Sequence, residues 1–281
     1  MKNPIKNKLI YGRFAASAVA AVLCLGAAQA EAGSIFITGH DSDEHNNQGY
    51  MSAGLDFLMF GQAGAPASTV DRATKTVAYI RTDLGSAPSG IAAAGYSVTT
   101  FNASADISAV FGGGFDAIMV GSGGNGTHNT ELVSHTADFT SYFNAGGSLY
   151  VNTDEGFGQS WFDFVPEFGT TTNNTISTSG AFTPTADGID IGLSEALVDA
   201  HPTHSYFTGV DTNIFTVFET TDPASSAFPG QTFTVAFGAS DITINEGGEF
   251  ENSIPEPAAM AIFGLGLAGM TLLGRRRRKA A

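Results

Sequence analysis

Short, uninterrupted apolar runs alternate with stretches of helical periodicity through the first half of this chain. Residues 34–38 (Ser-Ile-Phe-Ile-Thr) form such a run and stop at Gly39. Met51, Leu55, Leu58 and Met59 then recur at helical spacing up to residue 60. A second apolar run covers 76–80, and an Ala-rich turn of helix at 89–94 closes on Gly95, a residue suited to a left-handed cap. Runs follow at 96–101 and 115–120, the latter ending in Gly121-Ser122-Gly123-Gly124. Residues 130–144 place Leu132, Thr136, Phe139 and Phe143 on one helical face and lead through Gly146-Gly147 into a run at 148–152. Continuous apolar strands separated by helices predict βαβ units, a parallel sheet covered on both faces, and hence a three-layer α/β domain.

Beyond about residue 154 the texture changes. Residues 170–185 are rich in Thr, Asn and Ser and read as an irregular excursion. Residues 193–198 read as one or two helical turns, and 214–219 and 232–237 as late strands extending the sheet antiparallel. Residues 238–252 read as linker, which confines the globular domain to 33–237. The sequence contains no internal repeat.

The ends have another character. Lys2, Lys6, Lys8 and Arg13 precede an apolar stretch at 14–25 and the A-x-A triplet Ala28-Gln29-Ala30, with Ala30-Glu31-Ala32 as a second option. This is the pattern of a secretory signal peptide over 1–30, removed by signal peptidase. Cys24 has Leu23 before it where a lipoprotein signal wants a small residue. At the other end, Pro255, Glu256 and Pro257 precede an apolar stretch, Ala258 to Leu273, then Gly274 and a basic tail over 275–279. Sixteen such residues reach about 24 Å as a helix, just enough to cross with interfacial flanks. A single transmembrane helix is expected at 257–274, its basic end held in the cytoplasm and residues 33–252 outside.

Charge sharpens this division. The chain has 281 residues and a net charge of −15, yet residues 33–252 hold 25 acids against only Arg72, Lys75 and Arg81, a net −22. A body this acidic repels phosphate backbones, which excludes nucleic-acid binding. The whole chain is 43% hydrophobic and the acids of the body are scattered, which indicates a packed core rather than disorder. The single cysteine, Cys24, lies in the leader, so the body has no disulfide, thiolate ligand or cysteine nucleophile.

Pro255-Glu256-Pro257, the short apolar helix and the cluster Arg275, Arg276, Arg277 and Arg278, in that order, closely resemble the PEP-CTERM sorting signal of Gram-negative bacteria. The resemblance covers about 253–281. It implies processing near the Pro-Glu-Pro motif by a membrane-embedded exosortase, in organisms that make exopolysaccharide, and delivery to the cell surface or its matrix. Separately, Gly113-Gly114-Phe115 through Val120, the following helix, and Ala145-Gly146-Gly147 through Val151 resemble class I glutamine-amidotransferase-like, flavodoxin-type domains over 34–155. That family's nucleophile is absent here, so only its flavodoxin-like fold is implied, and fold alone transfers no activity.

Ligands of open parallel sheets bind at the carboxyl ends of the strands. Three loops would meet there: 39–45, 121–128 and 152–156. The first carries His40, Asp41, Asp43, Glu44 and His45 within six residues, a set suited to a divalent cation. Asp41-x-Asp43 begins like an EF-hand loop, but the glycine and distal glutamate of that loop are missing. The competing reading is a polar loop leading into a helix, with Asp43 or Asn46 as its N-cap. Asp154, His201 and His204 are candidates to complete a rim site with His40, against their alternative as solvated loop residues. Ser122 follows a strand directly, where an elbow nucleophile would sit, but Gly121-Ser122-Gly123 is not G-x-S-x-G. Phe157, Trp161, Phe162, Phe164 and Phe168 could offer a sugar platform or cover the core.

The expectation is an exported, cell-surface or matrix protein without catalytic activity, able to hold divalent cation or polysaccharide. Its rivals are an exported metal-dependent hydrolase using His40, Asp41, His45, Asp154 and His204, and a degenerate amidotransferase-like domain that binds a ligand without turnover.

Overall fold

The chain divides into two units, Met1–Ala30 and Glu31–Ala281, and all described residues belong to the second. A computed structural model describes residues 33–61, 71–81, 88–102, 107–122, 126–153, 165, 169–176, 180–200, 203–244 and 250–252. The leader and the sorting segment, including the span expected at 257–274, lie outside these ranges. Among the described residues no helix is long and apolar enough to cross a membrane.

The expected alternation is present. Strands β1 (Gly33–Thr38), β2 (Thr76–Arg81), β3 (Ser97–Asn102), β4 (Ala117–Val120) and β5 (Ser148–Asn152) form a parallel block. Helices α1 (Gln48–Phe60), α2 (Ser89–Ala93), α3 (Ser108–Gly112), α4 (Gly126–Ser134) and α5 (Thr136–Asn144) connect them. Helix α1 starts where the Asn47 side chain accepts from the Tyr50 amide, so Asn47 is the N-cap rather than Asp43 or Asn46. Successive strand residues face opposite sides, and the core accordingly splits in two. Phe36, Tyr79, Met119 and Tyr150 pack with Met51, Leu55 and Leu58 of α1 and Ile91 of α2. Ile35, Ile37, Ile80 and Val151 pack with Val110 of α3, Leu132 of α4 and Phe139 and Phe143 of α5. The result is a three-layer arrangement around a mostly parallel sheet.

The strand order departs from the flavodoxin expectation. That fold runs 2-1-3-4-5, with its first strand inside the parallel block. Here the order is β3-β2-β4-β5-β1, so β1 ends the parallel block and is free to pair on its other side. That side receives β10 (Thr234–Ile244), antiparallel, with Ile37 opposite Phe237 and Gly33 opposite Ile242.

The second half is more strand-rich than the sequence reading allowed. β6 (Gly169–Ile176) and β7 (Phe182–Pro184) lie within the stretch read as an irregular excursion, and β8 (Thr203–Thr208) was not foreseen. Short helices α6 (Ala186–Asp190) and α7 (Glu195–Val198) precede β8, and β9 (Thr216–Thr221) follows it. β9 pairs antiparallel with β10 and β7, and β6 with β8, so the late strands extend the sheet as expected. Residues 238–244, read as linker, belong to β10, and β11 (Phe250–Asn252) pairs back onto it. This stretch continues the strand because Ala239, Ile242 and Ile244 are buried in the core.

Candidate functional site: a buried polar layer at the strand ends

The carboxyl ends of β1, β2, β4 and β5 meet on the α1 side of the sheet. Loop 39–47 folds over them, and the side chains of its first part, residues 40–43, point into the protein. His40, Asp41, Ser42 and Asp43 are all at most 5% exposed. Burying four polar residues in a row is costly unless each is hydrogen-bonded, so their partners define what the loop does.

His40 meets an acid that the sequence reading passed over. Its Nε2 lies 2.6 Å from Oε1 of Glu219, a β9 residue with no solvent exposure. The other carboxylate oxygen accepts from the Tyr50 hydroxyl of α1 at 2.6 Å. Tyr50 Oη in turn lies 2.8 Å from Thr38 Oγ1, which accepts from the His40 amide at 3.1 Å. The imidazole is held edge-on between Tyr50 and Phe182, with ring centroids 4.9 and 5.1 Å away. Burial and the neighbouring Glu219 charge push the Tyr50 phenol well above its ordinary range, so it stays protonated and donates. The triad ties β1, α1 and β9 together.

Asp43 forms a separate centre. Ser122 Oγ donates to its Oδ1 at 2.5 Å, Tyr79 Oη donates to Oδ2 at 2.7 Å, and the Ser122 amide donates to both oxygens at 3.1–3.3 Å. Gly121 makes this approach possible: a Cβ there would sit 2.7 Å from both Asp43 Oδ2 and Tyr79 Oη. Burial raises the Asp43 carboxyl above its usual value, opposed by the bonds from Ser122 and Tyr79 and by the Arg81 charge. Between the two centres, Ser42 Oγ donates to Asn152 Oδ1 at 2.7 Å and lies 3.2 Å from Tyr150 Oη, while Asn152 Nδ2 donates to the Val120 carbonyl. Burial drives the Tyr79 and Tyr150 phenols far above their ordinary range.

The sequence-derived candidates are thus brought near one another without converging. His40 turns to Glu219 and Asp43 to Ser122 and Tyr79, while Asp41 faces His45, whose Nε2 is 3.2 Å from Asp41 Oδ2 on a half-exposed side chain. Glu44 pairs with Arg81. Among the described residues no three His, Cys, Asp or Glu side chains are placed to hold a metal ion. Asp154 and His201 lie outside the described residues, as do Phe157, Trp161, Phe162, Phe164 and Phe168. His204 falls in β8, its side chain outside what is described. The Ser122 hydroxyl, considered as an elbow nucleophile, donates to a carboxylate.

The sequence reading missed Glu219 and three tyrosines, Tyr50, Tyr79 and Tyr150, as partners. Glu219 had a signal: it is the one acid in the apolar run 214–219, and an acid inside a strand either faces water or has a buried partner. Nothing in the sequence says that His40, 179 residues earlier, is that partner.

Comparison with known proteins gives one match. Residues 253–278 match the PEP-CTERM protein-sorting motif. No curated protein and no solved structure matches the chain. The chain therefore carries a PEP-CTERM sorting motif, which implies processing by exosortase, export and sorting to the cell surface.

Proposed function

We propose that this is a cell-surface or matrix protein whose α/β domain works without turnover, as an acidic body that collects divalent cations and bridges them to anionic exopolysaccharide. In this reading signal peptidase removes residues 1–30, the segment 257–274 crosses the inner membrane with Arg275 to Arg278 on the cytoplasmic side, and exosortase cuts near Pro255-Glu256-Pro257.

The sorting motif carries the location. For the role of the body, the supporting observation is that the most chemically loaded loop is spent on folding: His40, Ser42 and Asp43 each have a buried partner that ties the loop to a strand or helix. Charge points the same way. Arg72 holds Asp56 through two nitrogens at 2.5 and 2.9 Å, Lys75 holds Asp116 at 2.8 Å, and Arg81 holds Glu44. These are all the Lys and Arg of residues 33–252, against 25 acids, so the body keeps a large negative charge. Such a surface keeps the protein soluble and raises the local concentration of counter-cations.

The test is replacement of Arg275, Arg276, Arg277 and Arg278 by Ala in the native host. The expected result is accumulation of a membrane-associated precursor with its C-terminal segment intact, read by mass spectrometry of each fraction. Unchanged processing and surface location would overturn the reading.

A further inference from the structure

Glu219, with no solvent exposure, is the most deeply buried acid among the described residues. Its carboxylate meets two donors there, His40 Nε2 and the Tyr50 hydroxyl, each at 2.6 Å. We infer that one proton shared between His40 and Glu219 works as a latch: it closes the seam between β1, α1 and β9, and its loss in alkaline surroundings loosens β9. The latch stands apart from the sorting reading above.

The hydrogen bonds of the seam form a closed circuit that ends on the carboxylate. The His40 amide donates to Thr38 Oγ1, and Tyr50 donates to Glu219, which leaves Thr38 to donate to Tyr50 Oη. Such a circuit supplies hydrogen bonds but no counter-charge, and a buried anion without one is costly. Arg72, Lys75 and Arg81 are spent on Asp56, Asp116 and Glu44, while His45 faces Asp41 and His135 faces Asp138. Among the described residues the His40 imidazole is the group placed to balance Glu219, at the length of a charge-assisted bond. The other faces of the seam bring no positive charge. Tyr50 from α1 and Tyr150 from β5 are phenols kept protonated chiefly by burial and also by the charge of Glu219. β7 contributes the Phe182 ring, and β8 contributes Thr203 at its bridge to His40, with His204 beside it in sequence. With its proton the pair is neutral as a whole; without it a bare anion is left in the core.

The backbone is least able to hold β9 at this same point. Glu219 pairs with Ala236 of β10, and the register shifts on both sides of that pair. On its other edge Glu219 pairs with Pro184 of β7, which has no N–H to give. Irregular pairing re-aims a side chain at the expense of the ladder, so the bonds from His40 and Tyr50 become the local tie. The folded pair holds its proton more tightly than a free histidine, which titrates near about 6.5. The stability it lends is therefore full below that value and is lost as pH rises through the higher value of the pair.

Imidazole NMR and amide exchange on the protein purified from its native host, from about pH 6 to pH 9, test the latch. His40 should titrate above about pH 7.5. Protection of the Phe218, Glu219 and Thr220 amides should fall roughly tenfold through the same midpoint, while the amides of β4 keep theirs. Glu219→Gln removes the charge; it should bring the His40 midpoint to about 6.5 or below and leave β9 protection flat with pH. His204→Gln should change neither wild-type result. The latch is overturned by a wild-type His40 midpoint at or below about 6.5, by β9 protection that does not follow it, or by loss of the midpoint in His204→Gln. Should Glu219→Gln fail to fold, the wild-type midpoint and protection decide alone.

Discussion

Replacing Gly39 by Ala probes the seam where the parallel block meets its antiparallel extension. A Cβ at this position lands 1.8 Å from the Ser205 carbonyl oxygen and 2.7 Å from both the Ser205 carbonyl carbon and Thr203 Oγ1. Ordinary contact begins at 3.4 Å. β8 must therefore retreat by about 1.6 Å, and the main obstacle is backbone, which no rotamer change relieves. The retreat breaks the Ser205 amide bond to the Gly39 carbonyl, now 3.3 Å, and the bridge between His40 and Thr203. Two buried hydrogen bonds at roughly 1 kcal/mol each and about 1–3 kcal/mol of overpacking put the loss at about 3–5 kcal/mol. The lower entropy of an unfolded Ala offsets only about 0.4–1 kcal/mol, so destabilisation wins. At about 2–4 °C per kcal/mol for a domain of this size, the melting temperature should fall by roughly 5–15 °C. Gly112, the last residue of α3, is the control: a Cβ there meets nothing within 4 Å. Gly112→Ala should hold or raise the melting temperature by up to about 3 °C. Far-UV circular dichroism of the secreted form reads both. A Gly39→Ala protein melting within about 2 °C of wild type would refute the close packing of β8 against the end of β1.

Other consequences concern the polar layer. Glu219→Ala strips His40 and Tyr50 of a shared acceptor and should cost about 3–5 kcal/mol. A double-mutant cycle with Tyr50→Phe should show coupling of about 1 kcal/mol or more in urea unfolding, and additive losses would dissolve the triad. Asp43 and Asp116 should give opposite pH dependences. Because burial raises the Asp43 carboxyl, its contribution is full below the ordinary carboxylate value and is lost as pH rises through the raised one; Asp43→Asn, which does not ionise, should gain on wild type across that window. Asp116 is also raised by burial, but its bonds from Lys75 and Thr76 prevail and lower it, so its contribution is present above the ordinary value and is lost as pH falls through the lowered one. The deficit of Asp116→Asn should therefore shrink below about pH 4. Parallel stability–pH curves for wild type and the two variants would refute both assignments.

What could be read in advance followed the range of the forces involved. The parallel strands β1, β2, β4 and β5 were legible because each is a largely apolar run between breakers, β3 because its β-branched residues and Phe101 follow a turn glycine, and α1 and α5 because their buried positions recur at helical spacing. β8 (Thr-His-Ser-Tyr-Phe-Thr) and β6 (Gly-Thr-Thr-Thr-Asn-Asn-Thr-Ile) were not, because their polar residues match a loop composition. They are strands because each is paired: β6 with β8, and β8 with β10. The loop 40–45 was recognisable as chemically dense, and the local pair Asp41–His45 follows from its i,i+4 spacing. The other partners did not follow. Ser122 is 79 residues from Asp43 and Asn152 is 110 from Ser42, distances that only the strand order closes.

The sequence by itself settled the C-terminal sorting motif and the charge of this protein, because a sorting motif is contiguous and net charge is a sum over residues, indifferent to fold. Only the tertiary structure decided what the histidine and carboxylates after β1 do. Whether such groups face water, a ligand or each other depends on which strands lie side by side. Placing β1 between β5 and β10 brought Glu219 to His40, and so turned a run of candidate ligands into the buried layer that seals the end of the sheet.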